Sequence, residues 1–263
     1  MALDFGDFEF LKLELRDHVL VVTLNAPENM NALTPPRIGE LTRLFHSLDH
    51  NVDVRAVLLT GAGRNFSAGG DLKAMLQRAW GGATDSPRGR RLVLELLEVE
   101  QPLVAAVNGA AVGLAANIAL LCDAVFVGES ARLGDTHVKI GLVAGDGGAL
   151  IWPLLCGVNR AKHYLMTGDL VGAVEAERIG LVNEVVPDDD LFDRAFAYAQ
   201  RLANGPIRAI WGTKFSINKM LRQQMNLLLD TSMTLERLTM VSDDHHEAVH
   251  AFLEKRPAQF SGR

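Results

Sequence analysis

Short apolar runs that alternate with helical stretches constrain this chain more than any other feature. Leu11–Leu15 and Val19–Leu24 read as two strands joined by a tight turn at Arg16–Asp17–His18. Ala56–Leu59, Leu103–Val107 and Ala124–Val127 read as buried strands, the first leading to Gly61–Ala62–Gly63 and the second to Asn108–Gly109. Thr34 is placed as an N-cap ahead of Pro35 and Pro36, and Ile38, Leu41, Leu44, Phe45 and Leu48 share one helical face. Strands alternating with helices imply an α/β layer arrangement. From Asp188 the pattern turns helical, through Gln200, over Pro206–Leu229, and again beyond Asp243. The expected organisation is an α/β core over 1–187 and a helical C-terminal part over 188–263. Ala79–Arg91, rich in Gly, charge and turn formers, reads as a mobile surface loop.

Composition removes several classes of function. A chain of 263 residues with 48% hydrophobic and 22% charged content buries a sizeable core and is not a disordered segment. A formal net charge of -6 argues against a nucleic-acid surface, although local basic residues still allow a polyanionic ligand. MALDFGDFEF is acidic, with no basic stretch before an apolar one, so no signal peptide is expected and the location reads as cytoplasmic. Leu103–Leu121 comes closest to a membrane span, but Asn108, Asn117 and its glycines make it a strand, turn and helix. Cys122 and Cys156 sit in LLCDAVF and PLLCGV and read as two buried thiols, not as a disulfide or metal ligands.

Two glycine-rich turns carry the chemical signal. Asn65-Phe66-Ser67-Ala68-Gly69-Gly70-Asp71-Leu72 follows one strand, and Asn108-Gly109-Ala110-Ala111-Val112-Gly113-Leu114-Ala115-Ala116-Asn117 follows another and enters a helix. Small residues let backbone N–H groups approach a ligand oxygen closely. Two such turns brought together form an oxyanion hole, a strong source of catalysis beside a carbonyl. Neither a GxGxxG fingerprint after the first strand nor a GxxxxGK[ST] motif occurs, so dinucleotide and P-loop readings lack support.

In this order and wording the pair resembles the enoyl-CoA hydratase/isomerase, or crotonase, superfamily. The likeness extends over Leu24-Asn25, Asn31-Ala32-Leu33, Val57–Gly61, Cys122-Asp123, Gly180–Val186 and Ala251–Pro257. It implies a crotonase-like spiral of ββα units with a C-terminal helical trimerisation domain, and assembly as a homotrimer or hexamer. It also implies an acyl-CoA thioester substrate of the kind handled in fatty-acid metabolism, with CoA as part of the substrate and no separate cofactor or metal. By that resemblance the N–H groups of Gly70 and Leu114 form the oxyanion hole, Leu114 standing where the family has glycine. Ala68, Gly70, Asp71, Leu72 and Gly113 line the CoA site, which Phe252 and Lys255 approach from the tail. Lys255 also reads as a solvated terminal charge.

The chain departs from the hydratase pattern where that pattern has two glutamates. Asn117 occupies the first position and His137 the second. An amide positions water but does not take its proton. His137 with Asp146, which follows the Gly141 turn, suggests a replacement: a carboxylate that fixes an imidazole's tautomer makes the other nitrogen a water-activating base. Asp146 equally reads as an N-cap for Gly147–Leu155. The order His137…Gly145-Asp146-Gly147, then Trp152-Pro153 and Gly157–Arg160, is similar to 6-oxocamphor hydrolase, a relative that cleaves a carbon–carbon bond. Asp135 sits at a polar strand end within reach of the pocket, Trp152 reads as core with a lining of the acyl pocket as the alternative, and His245, His246 and His250 read as a solvated helix face. Three functions follow as expectations. The first is a lyase that hydrates an enoyl-CoA through His137, Asp146 and Asn117. The others are a hydrolase of a β-ketoacyl-CoA or β-diketone, and a non-catalytic acyl-CoA binder.

Overall fold

A computed structural model describes residues 7–48, 51–77 and 86–263. Among the described residues nine strands are formed, β1 Leu11–Arg16, β2 Val19–Leu24, β3 Ala56–Gly61, β4 Leu103–Val107, β5 Ala110–Val112, β6 Ala124–Gly128, β7 Arg132–Gly134, β8 Val171–Gly172 and β9 Glu184–Val186. The helices of the first half are α1 Pro35–Ser47, α2 Leu72–Gln77, α3 Ser86–Glu98 and α4 Leu114–Leu120. Those of the second are α5 Gly148–Cys156, α6 Val158–Thr167, α7 Ala173–Arg178, α8 Leu191–Ala203, α9 Ile207–Met240 and α10 Asp243–Glu254.

Strands β1 and β2 form a hairpin in register Leu11 to Leu24, closed by Asp17 and His18, which both take positive φ (47° and 65°). Two consecutive left-handed residues match the right-handed twist of the strands they join. From β2 the large sheet runs parallel through β3, β4, β6 and β9, while β5, β7 and β8 form a separate small sheet. The chain thus deals one strand to each sheet in turn, β4 then β5, β6 then β7, before a helical stretch.

Alternating residues of the large sheet face two cores. Leu20, Val22, Leu24, Val57, Leu59, Ala105 and Val107 pack toward α1, α3, α4 and α5. Val19, Val21, Ala56, Leu58, Val104, Ala106 and Phe126 pack toward α8, whose Ala195, Ala199 and Ala203 present a smooth face to the sheet. Burial on both faces is why these strands read as unbroken apolar runs. Thr34 does occupy the N-cap of α1, though its hydroxyl makes no capping bond.

Three local expectations are corrected. Ala79–Asp85 lies outside the described residues, but Ser86–Arg91 belongs to α3 and not to a loop. The helix expected to end at Leu229 runs on to Met240. Cys156 is buried as expected, whereas Cys122 is only half-buried. Among the described residues no helix is long and apolar enough to cross a membrane.

Candidate functional site

The two glycine turns are laced together. Ser67 N–H donates to the Ala110 carbonyl (3.0 Å) and Val112 N–H to the Ser67 carbonyl (3.1 Å). Gly69 has φ +79° and lies so close to the Val112 carbonyl that no Cβ fits between them. Asn31 fastens the first turn from behind, donating to the Ala62, Asn65 and Phe66 carbonyls. Leu33 pairs with the turn through the Gly69 carbonyl and the Asp71 N–H, which leaves the intervening Gly70 N–H out of that ladder. Leu114 opens α4, where a first-turn N–H has no partner within the helix. Asp71 accepts from Ala74 N–H (3.0 Å) and so stabilises its own turn.

A buried polar network lies against the second turn. His137 opens a short 3-10 turn, His137–Ile140, and its ring stands 3.6 Å from where a Cβ on Gly113 would be. Its Nδ1 lies 2.5 Å from Asp135 Oδ1 and its Nε2 3.2 Å from Asp146 Oδ2. Asn117 donates from Nδ2 to Asp135 Oδ2 (2.9 Å) and to Asp146 Oδ1 (2.8 Å), and its Oδ1 accepts from the Trp152 indole (3.1 Å). Asn117 and Trp152 are fully buried; His137 and Asp146, each 7% exposed, are the reachable edge of the cluster. Gly147, at φ +123°, turns the chain from Asp146 into α5, and Gly148 leaves room for the Asp135 carboxylate, which a Cβ would strike.

Burial pulls the His137 ring down, but the charges of Asp135 and Asp146 and their hydrogen bonds outweigh it and hold the ring well above its usual range. Burial likewise opposes the Asp135 charge, yet the facing imidazolium keeps that carboxyl below its ordinary value. His137 is thus hydrogen-bonded to Asp135 through Nδ1 and paired with the Asp146 carboxylate through Nε2. The Asp135, His137 and Asp146 ligand atoms lie within 4.8 Å of one another. Nδ1 is hydrogen-bonded to Asp135 and Nε2 faces Asp146 across 3.2 Å, so each ring nitrogen meets a carboxylate.

The geometry rearranges the expected dyad. Asp146 meets Nε2, not the nitrogen behind the ring; that place belongs to Asp135, a strand-end residue within reach of the pocket in the sequence reading. Asp146 makes no capping bond to α5, whose N-cap is Gly147. Both Asn117 amide hydrogens are taken by carboxylates, so it fixes the network instead of holding water. Trp152 is core, as expected, with its indole N–H given to that network. His245 is no solvated residue: it is buried, and Nδ1 donates to the Ile140 carbonyl (2.6 Å). Ala68, Gly70, Asp71, Leu72 and Gly113 gather at the paired turns, and α10, which ends in exposed Phe252 and Lys255, lies against α2 beside them.

Helices α9 and α10 grip the segment between His137 and Asp146. Thr239 Oγ1 accepts from Val143 N–H (3.2 Å), and Ser232 donates to the Gly145 carbonyl (2.9 Å). Glu236, which sequence reasoning missed, lies beside Gly145; burial and the Asp146 charge, opposed in part by His137, push its carboxyl up to about 8. A polar residue recurring on the inward face of α9 was the signal available for it.

A family model for enoyl-CoA hydratase/isomerase matches residues 14–263. The chain is 33% identical over 260 residues to the 1,2-epoxyphenylacetyl-CoA isomerase of Escherichia coli, covering 97% of this chain and 99% of that protein. It is 32% identical over 252 residues to the 2,3-dehydroadipyl-CoA hydratase of the same organism, covering 94% and 97%. A crystal structure of an enoyl-CoA hydratase/isomerase from Mycobacterium paratuberculosis matches with a TM-score of 0.88 and 35% identity, over 92% of this chain and 97% of that one.

Proposed function

The chain belongs to the enoyl-CoA hydratase/isomerase family, and from that premise we propose that it hydrates an α,β-unsaturated acyl-CoA. In this reading the Gly70 and Leu114 N–H groups hold the thioester oxygen as charge develops on it. Asp146 takes the proton of the attacking water. The His137 imidazolium, anchored by Asp135, keeps Asp146 oriented, and Asn117 holds both carboxylates in place. The observation that carries the reading is the junction of the two turns with the His137 ring against Gly113. That closeness of the glycine turns to the His137 network is what supports the reading.

His137 acts here as a charged donor and not as the water-activating base, because a ring between two carboxylates keeps its proton. Ala68, Asp71, Leu72 and Gly113 line the CoA path, with Phe252 and Lys255 at its outer end. Leu227, Leu235 and Leu238 leave an exposed apolar face on α9, which supports assembly into a trimer or hexamer. Sedimentation at micromolar concentration tests that assembly, and a monomer mass refutes it.

A second reading is favoured by Asn117 and His137 standing in place of two glutamates. The same network directs water at a β-keto carbonyl, and carbon–carbon cleavage releases a thioester enolate. Incubating the protein and His137→Ala with crotonyl-CoA and with a cyclic β-ketoacyl-CoA, followed by mass spectrometry, separates the two. Water addition to crotonyl-CoA that is lost in the variant is the expected result. Cleavage of the ketoacyl substrate alone replaces hydration with hydrolysis, and turnover of neither with retained CoA affinity leaves a binder.

A further inference from the structure

Hydration and carbon–carbon cleavage share one requirement: the thioester enolate must receive a proton at Cα. His137 is poorly placed to give it, since Nδ1 is bonded to Asp135 and Nε2 is paired with Asp146, the two charges that hold the imidazolium. Glu236 is differently situated. It is 7% exposed on the inward side of α9. Its carboxyl runs along the Gly145 backbone, with Oε2 2.5 Å and its own Cβ 2.7 Å from where a Cβ on Gly145 would lie, one residue before Asp146. Among the described residues no donor hydrogen-bonds to that carboxyl and no cation pairs with it. A carboxyl buried without a donor keeps its proton instead of burying a charge. The charges it faces are Asp146, His137 and Asp135 across the site and Arg237 on its own helix.

We propose that Glu236 is the acid of this site and protonates Cα of the thioester enolate. The proposal rests on the enolate chemistry argued above, in either form. In hydration, Asp146 takes a proton from water, the oxygen bonds to Cβ, and the π electrons move onto the thioester oxygen. The enolate then collapses, taking the Glu236 proton at Cα. The proton on Asp146 passes to the Glu236 carboxylate, and the two neighbouring carboxyls regain their starting states with one proton between them. In cleavage the broken carbon–carbon bond supplies the same enolate. One carboxyl absent from positions 117 and 137 is thus delivered from a C-terminal helix.

The test uses Glu236→Gln and Glu236→Asp in the full chain, with folding checked by circular dichroism. Hydration of crotonyl-CoA and deuterium exchange at Cα of butyryl-CoA in heavy water are both followed. Glu236→Gln is expected to lower kcat and α-exchange by about 10²–10⁴-fold, the usual worth of a positioned acid, while KM stays within about threefold. Glu236→Asp recovers part of the loss. The alkaline fall in the kcat–pH profile disappears in Glu236→Gln, which a merely structural glutamate would not produce. Wild-type exchange rates in Glu236→Gln overturn the acid role and leave the proposed function standing. A wild-type protein that neither exchanges nor turns over any of these thioesters ends the proposed function and takes the acid role with it.

Discussion

Replacing Glu236 by glutamine should make the protein more stable relative to wild type as pH rises. Folding lifts this carboxyl from 4.5 to about 8. Between those values the unfolded chain has shed a proton that the folded chain retains, so wild-type stability falls with increasing pH. At about 1.4 kcal/mol per unit, the wild type loses about 2–3 kcal/mol between pH 5 and pH 7 through this group. The amide does not titrate, so whatever fixed cost it carries, its stability relative to wild type rises by that amount over the interval. In a chain of this size the gain corresponds to about 5–10 °C in Tm. Urea unfolding of both proteins at pH 5, 6 and 7, followed by tryptophan fluorescence, measures it. Groups common to both proteins cancel in the difference. Parallel stability curves would refute the buried neutral carboxyl, whatever its role in turnover.

Leu114→Pro removes one proposed oxyanion donor without breaking α4. Proline is tolerated at a first helical position, and Gly113 (φ 56°, ψ -131°) already has the mirror-extended conformation open to glycine before it. A fall in kcat of about 10²–10³-fold at unchanged secondary structure is expected in a hydration assay, and full activity would remove Leu114 from the hole. Asn117→Asp sets a third carboxylate against Asp135 and Asp146. It should cost about 3–5 kcal/mol by thermal unfolding at neutral pH and less in acid, where a carboxyl is protonated. Asp135→Asn takes away one of the two charges holding the His137 proton. By NMR its ring should titrate lower than in wild type, and an unmoved titration would show that Asp146 alone sets it.

What sequence conveys here is local, and what it misses is brought together from afar. The β1–β2 hairpin is legible because Asp17 and His18 suit left-handed φ, and the strands because burial on both faces leaves unbroken apolar runs. The glycine turns are legible because Gly69 and Gly113 are needed for close approach. The start of α3 is obscured by Pro87 and Gly89, turn formers that a first helical turn nonetheless tolerates. Past Met233 the buried stripe of α9 passes to a carboxyl at Glu236, so the apolar periodicity fades before the helix ends. Asp135 carries no mark of burial in its own neighbourhood: Asn117, His137 and Gly148 close over it only in the folded chain. His245 looks solvated among acidic neighbours until Ile140 covers it. His137 and Asp146 were visible as a pair, but which nitrogen each carboxylate meets is set by the 3-10 turn between them.

The grip of α9 and α10 on the Ile140–Gly145 segment also sets an order of assembly. The pairings of the large sheet are complete by Val186, all of them available before α9 exists. The bonds from Ser232, Thr239 and His245 to Gly145, Val143 and Ile140 span 87, 96 and 105 residues and await the last third of the chain. Contacts so distant in sequence form late, because closing their loops costs entropy before any contact repays it. During synthesis from the N-terminus, the α/β layers are therefore in place while the His137–Asp146 segment is still unheld. Competence for catalysis should then appear as a separate, later phase of refolding than the recovery of secondary structure, its rate governed by the docking of two helices that hold none of the four residues of the Asn117–Asp135–His137–Asp146 network.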